Sequence, residues 1–256
     1  MVIRKVSDKN EIYMKRYFST KEAGLSFSNV FSTEFDGVDE YCQISDTNIQ
    51  NNLSVFAWVK LPTTTSTECV VGQWDAAGND RSWEIINSTN FLRIVLSDDG
   101  SSVSKSYIAD TVGDEFRDNT WHHVGFTYAG NTLNVYLDGS KPSVTKGTDT
   151  AITSLHNTAT PCRFGANENT GPFAHLNGKI DEIVIFENTI LSETEVTELY
   201  NSGQTFDLRK HSRASDIYGW WRMGDTDTVP TIFDQVGSDD ATMYNMTSTN
   251  FVEDVP

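Results

Sequence analysis

Positive charge is what this 256-residue chain has least of: 19 lysines and arginines stand against 36 aspartates and glutamates, a formal charge of −17. A surface of that sign repels phosphate backbones and anionic lipid, so no nucleic-acid partner is expected; only a local basic patch would escape this argument. Long apolar runs are missing as well. No stretch of about 18 apolar residues is present to span a membrane. The opening MVIRKVSDKNEIYMKRYF has no apolar run of the kind a secretory leader needs. Neither membrane insertion nor export by a signal peptide is therefore expected. Cysteine is scarce: Cys42, Cys69 and Cys162 are odd in number and unclustered, which argues against a disulfide framework and reads as free, buried thiols of a reducing compartment. No Ser-His-Asp or Cys-His order, phosphate loop or zinc-finger spacing is visible in a supporting context.

What the chain does have is a β pattern. Hydrophobic residues make up 38% and aromatics 11%, enough to bury the core of one large β-domain or two small ones. Alternating, β-branched and aromatic-rich segments recur as LSVFAWVK (53–60), SWEII (82–86), FLRIVL (91–96), SKSYIA (104–109) and KIDEIVIF (179–186). Asp-Gly at 36–37, 99–100 and 138–139 and Asn-Gly at 177–178 separate them as turn signals. Many short strands at this spacing predict an all-β sandwich or jelly roll of antiparallel sheets. One short helix is predicted near 192–202. Ser192 and Glu195 form a capping box, Leu191 and Val196 stand at the staple positions, and Gly203 suits a left-handed C-terminal cap.

NTWHHVGFTYAGNTLNVYLDG (119–139) reads as a hairpin. A period of two puts Trp121 and His123 on one face and His122, Val124, Phe126 and Tyr128 on the other. The two imidazoles point apart and cannot share one metal from a single strand. Neither has a carboxylate or nucleophile at motif spacing, so a catalytic role is not expected of them. Trp121 is read as core.

These residues carry a resemblance. The hairpin, FDGVDEYCQI (35–44), LSVFAWVK (53–60) and LNGKIDEIVIFENTILSETEVTELYNSG (176–203) are similar, in order, to segments of laminin-G-like and pentraxin-like domains of the concanavalin A-like lectin/glucanase superfamily, of the kind found in phage structural proteins. The resemblance implies a jelly roll of two packed antiparallel sheets over residues 25–203, carbohydrate or protein recognition, and often a structural calcium ion. Residues 1–24 form an N-terminal arm and 204–216 a linker. Residues 217–256, with IYGWWRM, resemble a segment that usually precedes the FDG strand. This segment either completes the same sandwich or reaches a neighbouring subunit; its paired tryptophans favour the first, since a free tail would bury them poorly.

Candidate sites follow from turns and loops. Calcium needs hard oxygen ligands. Asp39 and Asp181 are its expected carboxylates, because the resemblance lays the first strand pair beside the closing strand, with carbonyls near Gly37 and Gly178. A glycan is expected on the loop GQWDAAGNDRSW (72–83), where Trp74 and Trp83 offer stacking surfaces and Asp75, Asn79, Asp80 and Arg81 offer hydrogen bonds. Asn167, in GANENTGP (165–172), belongs to a second, weaker candidate. Glu34, Asp36 and Asp39 nearly spell a glucanase row, but the Asp36-Gly37 turn breaks it, and Glu182 and Glu187 face opposite ways.

The function expected from these readings is that of a non-enzymatic virion structural protein: a decoration, fibre or tail-associated component made in the host cytoplasm. It would contact other virion subunits, as a homo-oligomer or on a particle, and attach to host glycans. A bacterial carbohydrate-binding module and a glycan-active enzyme are the alternatives.

Overall fold

The computed structural model describes residues 27–63, 66–88, 91–110, 116–169 and 171–256; the N-terminal arm, residues 1–24, lies outside them. In chain order the strands are β1 (Ser32–Asp36), β2 (Tyr41–Gln43), β3 (Leu53–Lys60), β4 (Glu68–Asp75), β5 (Asp80–Ser88), β6 (Phe91–Leu96), β7 (Lys105–Ala109), β8 (Trp121–Ala129) and β9 (Thr132–Leu137). They continue as β10 (Val144–Asp149), β11 (Arg163–Phe164), β12 (Asn167–Glu168), β13 (Pro172–Phe173), β14 (Asn177–Phe186), β15 (Ile217–Trp221), β16 (Thr231–Ile232), β17 (Ala241–Tyr244) and β18 (Phe251–Val252). A single α-helix, α1 (Glu193–Tyr200), joins them among the described residues.

Two sheets result. The smaller has seven strands in the order β18-β1-β14-β3-β8-β9, with β15 also on β14; the larger has eleven along β10-β7-β6-β5-β4-β11-β2-β17-β16, with β12 and β13 beside β4. Pairing is antiparallel except for one parallel bridge between Glu168 and Asp75. This is the predicted jelly-roll sandwich. Alternation explains its core. Val55, Ala57 and Val59 of β3 and Val124, Phe126 and Tyr128 of β8 meet Val71, Trp83, Ile85, Ile94 and Phe164 of the larger sheet, and Trp83 tilts against Phe126 at 5.9 Å. The other face of β3 and β14 is covered too. Phe56, Val184 and Phe186 pack with Leu191 just before the helix, with Val196 and Leu199 of the helix and with Trp220, so both strands read as continuous apolar runs.

The helix starts as predicted. Ser192 Oγ accepts from Glu195 N at 3.3 Å and Glu195 Oε2 accepts from Ser192 N at 2.7 Å, while Leu191 and Val196 are both buried. It ends earlier than predicted: Asn201, at φ 48°, is the left-handed C-cap, a conformation asparagine tolerates, and Gly203 only continues the turn.

The hairpin 119–139 is β8–β9 in register Val124↔Leu137 to Ala129↔Thr132. Its histidines do point apart. His123 is buried, stacked on Phe56 at 5.3 Å, and burial pulls its pKa down to about 3. His122 does have carboxylate partners, although none stands at motif spacing: Nδ1 lies 2.8 Å from Asp138 and Nε2 3.3 Å from Asp118. Burial opposes its charge, but the two aspartates outweigh burial and raise its pKa. Trp121 is half-buried instead of core, with its indole N–H donating to Asp254 at 3.1 Å.

Residues 217–252 supply strands to both sheets: β15 pairs with β14, β17 with β2 and β18 with β1. Asp254 then straps the C-terminal end across β3 and β14, accepting from Lys60 at 2.9 Å and Lys179 at 2.6 Å. Burial opposes ionisation, yet these partners hold its carboxyl at about 2 against an ordinary 3.8. A depressed carboxylate stabilises the fold above its unfolded pKa, and that contribution disappears as pH falls toward the folded value. Asp254→Asn is expected to lower the unfolding free energy by about 1–2 kcal/mol at neutral pH in a urea titration. The gap from wild type should close near pH 2; a gap that persists there would mean the loss is one of packing.

Candidate functional site

Side chains that alternate out of the larger sheet build a polar and aromatic face opposite the core. Register lines them up: Thr242 faces Gln43, Gln43 faces Arg163, Arg163 faces Gly72, and Gly72 faces Glu84 on successive strands. Gly72 makes this row possible. A Cβ there would stand 2.7 Å from Glu84 Cβ, so only glycine lets Glu84 lie flat beneath the β12–β13 hairpin. Asn167 of that hairpin donates to Glu84 Oε2 at 3.0 Å. Burial lifts the Glu84 carboxyl to about 7 in spite of this hydrogen bond.

Arg163 is the centre of the face. Its Nε donates to Gln43 Oε1 at 3.0 Å, its Nη1 to the Asn167 carbonyl at 3.2 Å, and it pairs with Glu168. Its guanidinium lies 5.1 Å from the Tyr41 ring, and Tyr41 stacks on Tyr244 at 4.6 Å with planes 7° apart. His175 tilts toward Tyr41 at 6.3 Å. Tyr244, at 37% exposed, and Phe173, at 54%, leave ring surface in solvent. The arrangement can stack a flat apolar ligand face and hydrogen-bond its edge. A cavity of about 240 Å³ lined by Asn48, Ile49, Gln50, Asn51, Glu187 and Asn188 has no aromatic wall and fits a ring less well.

The loop 72–83 does not form the platform that was expected. Trp83 is fully buried in the core and Trp74 is 5% exposed, packed with Cys69, Ile86 and Val95 on the outer side of the sheet. Asp80 is engaged inside the protein by His156 at 2.9 Å, Thr160 Oγ1 at 3.1 Å and Ala159 N at 3.1 Å. Asp75 Oδ1 accepts from Gly78 N at 2.8 Å, closing the turn. Arg81 donates to the carbonyls of Gly100, Ser101 and Ala76, and to Asn79 Oδ1 at 3.3 Å. Of the expected ligand residues, only Asn167 stands in the Arg163 cluster. Gln43, Tyr41, His175 and Tyr244 were missed; their signal was parity, since each sits one residue from a buried apolar neighbour.

Asp39 and Asp181 do not come together. Asp36 faces Asn177 across β1 and β14, so Asp39, Gly37 and Gly178 lie at one end of the ladder. Asp181 is roughly 13 Å of strand further along. Asp39 is exposed on the turn, whereas Asp181 is fully buried. No three histidine, cysteine, aspartate or glutamate side chains converge to hold a metal among the described residues, so calcium does not fit this pair. Instead the oxygens around Asp181 gather on a guanidinium. Arg222 Nε donates to Glu182 at 3.1 Å, and Nη2 donates to Asp225 at 3.0 Å and to the Ser28 carbonyl at 2.6 Å. Asn29 Nδ2 donates to Asp181 Oδ2 at 2.7 Å. Burial and the neighbouring Glu182 hold Asp181 well above the usual carboxylate range, and burial lifts Glu182 to about 7 against the pull of Arg222.

The family model for Laminin_G_3, described as the concanavalin A-like lectin/glucanases superfamily, matches residues 36–197. The chain belongs to this superfamily. This laminin-G-like chain is also similar in fold to a Bacteroides ovatus protein provisionally assigned to carbohydrate binding. The TM-score is 0.64 at 13% identity, over 86% of this chain and 60% of that one. The native heptameric SAP-like pentraxin of Limulus polyphemus gives a TM-score of 0.52 at 14% identity, over 68% of this chain and 84% of the pentraxin. At these identities the likeness is one of fold. The laminin-G-like chain spans about 60% of the length of the Bacteroides protein. No curated protein sequence matches it.

Because Arg222 neutralises the buried acids, Arg222→Gln is expected to lower stability by about 3 kcal/mol in chemical denaturation. Chelation of the wild type is expected to leave its melting temperature unmoved. A melting temperature that falls with chelator and recovers with calcium would contradict this electrostatic account.

Proposed function

We propose that this laminin-G-like domain is a non-enzymatic carbohydrate-binding module that holds glycans on the outer face of its larger sheet. The observation that carries the reading is the ladder Arg163–Tyr41–Tyr244. Tyr41 is covered on both faces, by the guanidinium at 5.1 Å and by Tyr244 at 4.6 Å, so a sugar ring extends the ladder on the free face of Tyr244. Ring stacking of this kind contributes about 0.5–1.5 kcal/mol beyond area burial. Gln43, Arg163 and Asn167 supply donors and acceptors for the hydroxyl edge. Binding is favoured over hydrolysis because Glu168 is tied to Arg163 and Glu84 lies under Asn167, an arrangement that presents neither carboxyl to a glycosidic bond as acid or nucleophile. The likeness to a protein provisionally assigned to carbohydrate binding supports the same reading. From the sequence pattern, the proposed setting is a virus particle, where the module sits among neighbouring subunits; mass spectrometry of purified particles tests that setting.

A glycan array followed by calorimetry tests the binding. Tyr244→Ala is expected to weaken the best array ligand about tenfold while the domain stays folded, its melting temperature lowered only by the lost stack on Tyr41. Equal affinity of wild type and Tyr244→Ala, or an array without hits, would remove the support for this site.

A further inference from the structure

Among the described residues most cations are paired with a carboxylate. Lys60 and Lys179 pair with Asp254, Lys105 and Lys146 with Asp149, Lys141 with Glu193, and Lys210 and Arg209 with Asp207. Arg117 pairs with Glu68, Arg163 with Glu168, Arg213 with Glu195 and Arg222 with Glu182. Two cations remain without a carboxylate at ion-pair distance among the described residues, Arg81 and Arg93. Both stand on the outer face of the larger sheet.

Arg81 is registered opposite Trp74 and its guanidinium lies 5.9 Å from that ring. Its hydrogen bonds go to neutral oxygens, which position the group with no carboxylate at ion-pair distance. Arg93 is registered opposite Ile86 on β5, and its one hydrogen bond among the described residues, at 2.8 Å, runs from Nε to Ser106 Oγ. Its two terminal nitrogens are free to form the planar fork that grips a carboxylate or a sulfate. Positions 81 and 86 of β5 are roughly 16 Å apart at about 3.3 Å per residue, a span of several linked sugar rings. Between them on β5 lies Glu84, buried beneath Asn167 and registered opposite Gly72 at the end of the row that begins with Gln43 and Arg163.

We infer that the glycan held on this face is anionic, with its carboxylate or sulfate groups received by Arg93 and Arg81. This rests on the carbohydrate-binding reading above and names the class of sugar. The overall charge of −17 does not oppose it. At physiological salt, charges farther than about 8 Å are screened, so the two face cations in contact with the ligand outweigh acids elsewhere on the surface. Glu84, whose carboxyl burial shifts toward neutrality, is the acid whose field the two arginines reach, and it adds little repulsion.

The test is calorimetry of the full chain with three oligosaccharide probes: oligogalacturonate for carboxylates, heparin fragments for sulfates, and dextran fragments as a neutral control. Binding of one or both anionic probes, with dextran at least tenfold weaker, is expected, and the stronger anionic probe tells carboxylate from sulfate. Arg93→Gln is expected to weaken that probe about tenfold, and the wild-type affinity should fall with added salt. Lys141→Gln, which removes the same unit of charge far from the face, is expected to leave affinity unchanged. Dextran binding as tightly as the anionic probes would overturn the inference while leaving the carbohydrate-binding reading in place. Binding of none of the probes would count against both. Equal losses in Arg93→Gln and Lys141→Gln would show a non-specific charge effect and overturn the assignment to Arg93.

Discussion

Trp83 and Glu84 are neighbours in the chain and stand on opposite sides of a sheet. Trp83 fills the space between the two sheets against Phe126, while Glu84 faces outward beneath Asn167. The two-residue alternation of a strand clamped between an apolar interior and an outer face is the constraint on which the molecule depends. It fills the sandwich from one set of positions and builds the candidate site from the other. A slip of one residue in β5 would bury Glu84 in the core and turn Trp83 out, so the hydrophobic effect that fixes the core also fixes the register of the site. Gly72 adds a local condition. With no Cβ to obstruct it, Glu84 can lie across β4.

Charge is handled in the same economical way. The surface is strongly acidic, and every buried carboxylate among the described residues has at least one partner, although Asp181 Oδ1 has no hydrogen bond of its own. Asp181, Glu182 and Asp225 surround Arg222 and the segment Ser28–Asn29, so the start of the described chain is tied electrostatically to the closing strand. Asp254 does the same for the other end, through Lys60 and Lys179. Both ends are thus held against the smaller sheet, which leaves the outer face of the larger sheet to present Arg81, Arg93, Tyr244 and Phe173.

Elements made of local contacts were legible in the sequence. The hairpin 119–139 could be read from alternation and the helix start from Ser192 and Glu195. Family resemblance then supplied the two-sheet architecture. The site was less legible, because its residues come from distant parts of the chain. Tyr41 and Tyr244 meet only through pairing of β2 with β17, and Arg163 reaches Gln43 through β11 and β2. Aromatic content misled the reading of 72–83. Trp83 shares parity with Ile85, and that parity, more than its place at the end of a loop, decides its burial. Asp39 and Asp181 were expected together because β1 lies beside β14; adjacency of strands is correct, but the register puts the two carboxylates at different heights.

The central claim is that the outer face of the larger sheet binds glycan around Arg163. Amide chemical-shift mapping during titration with a glycan ligand tests it most directly, since it locates the ligand without removing a side chain. The account predicts perturbations centred on Tyr41, Gln43, Arg163, Asn167, His175 and Tyr244. Perturbations confined to the turn at Asp39 or the loop tip at Gly78 and Asn79, with the Arg163 face silent, would contradict it.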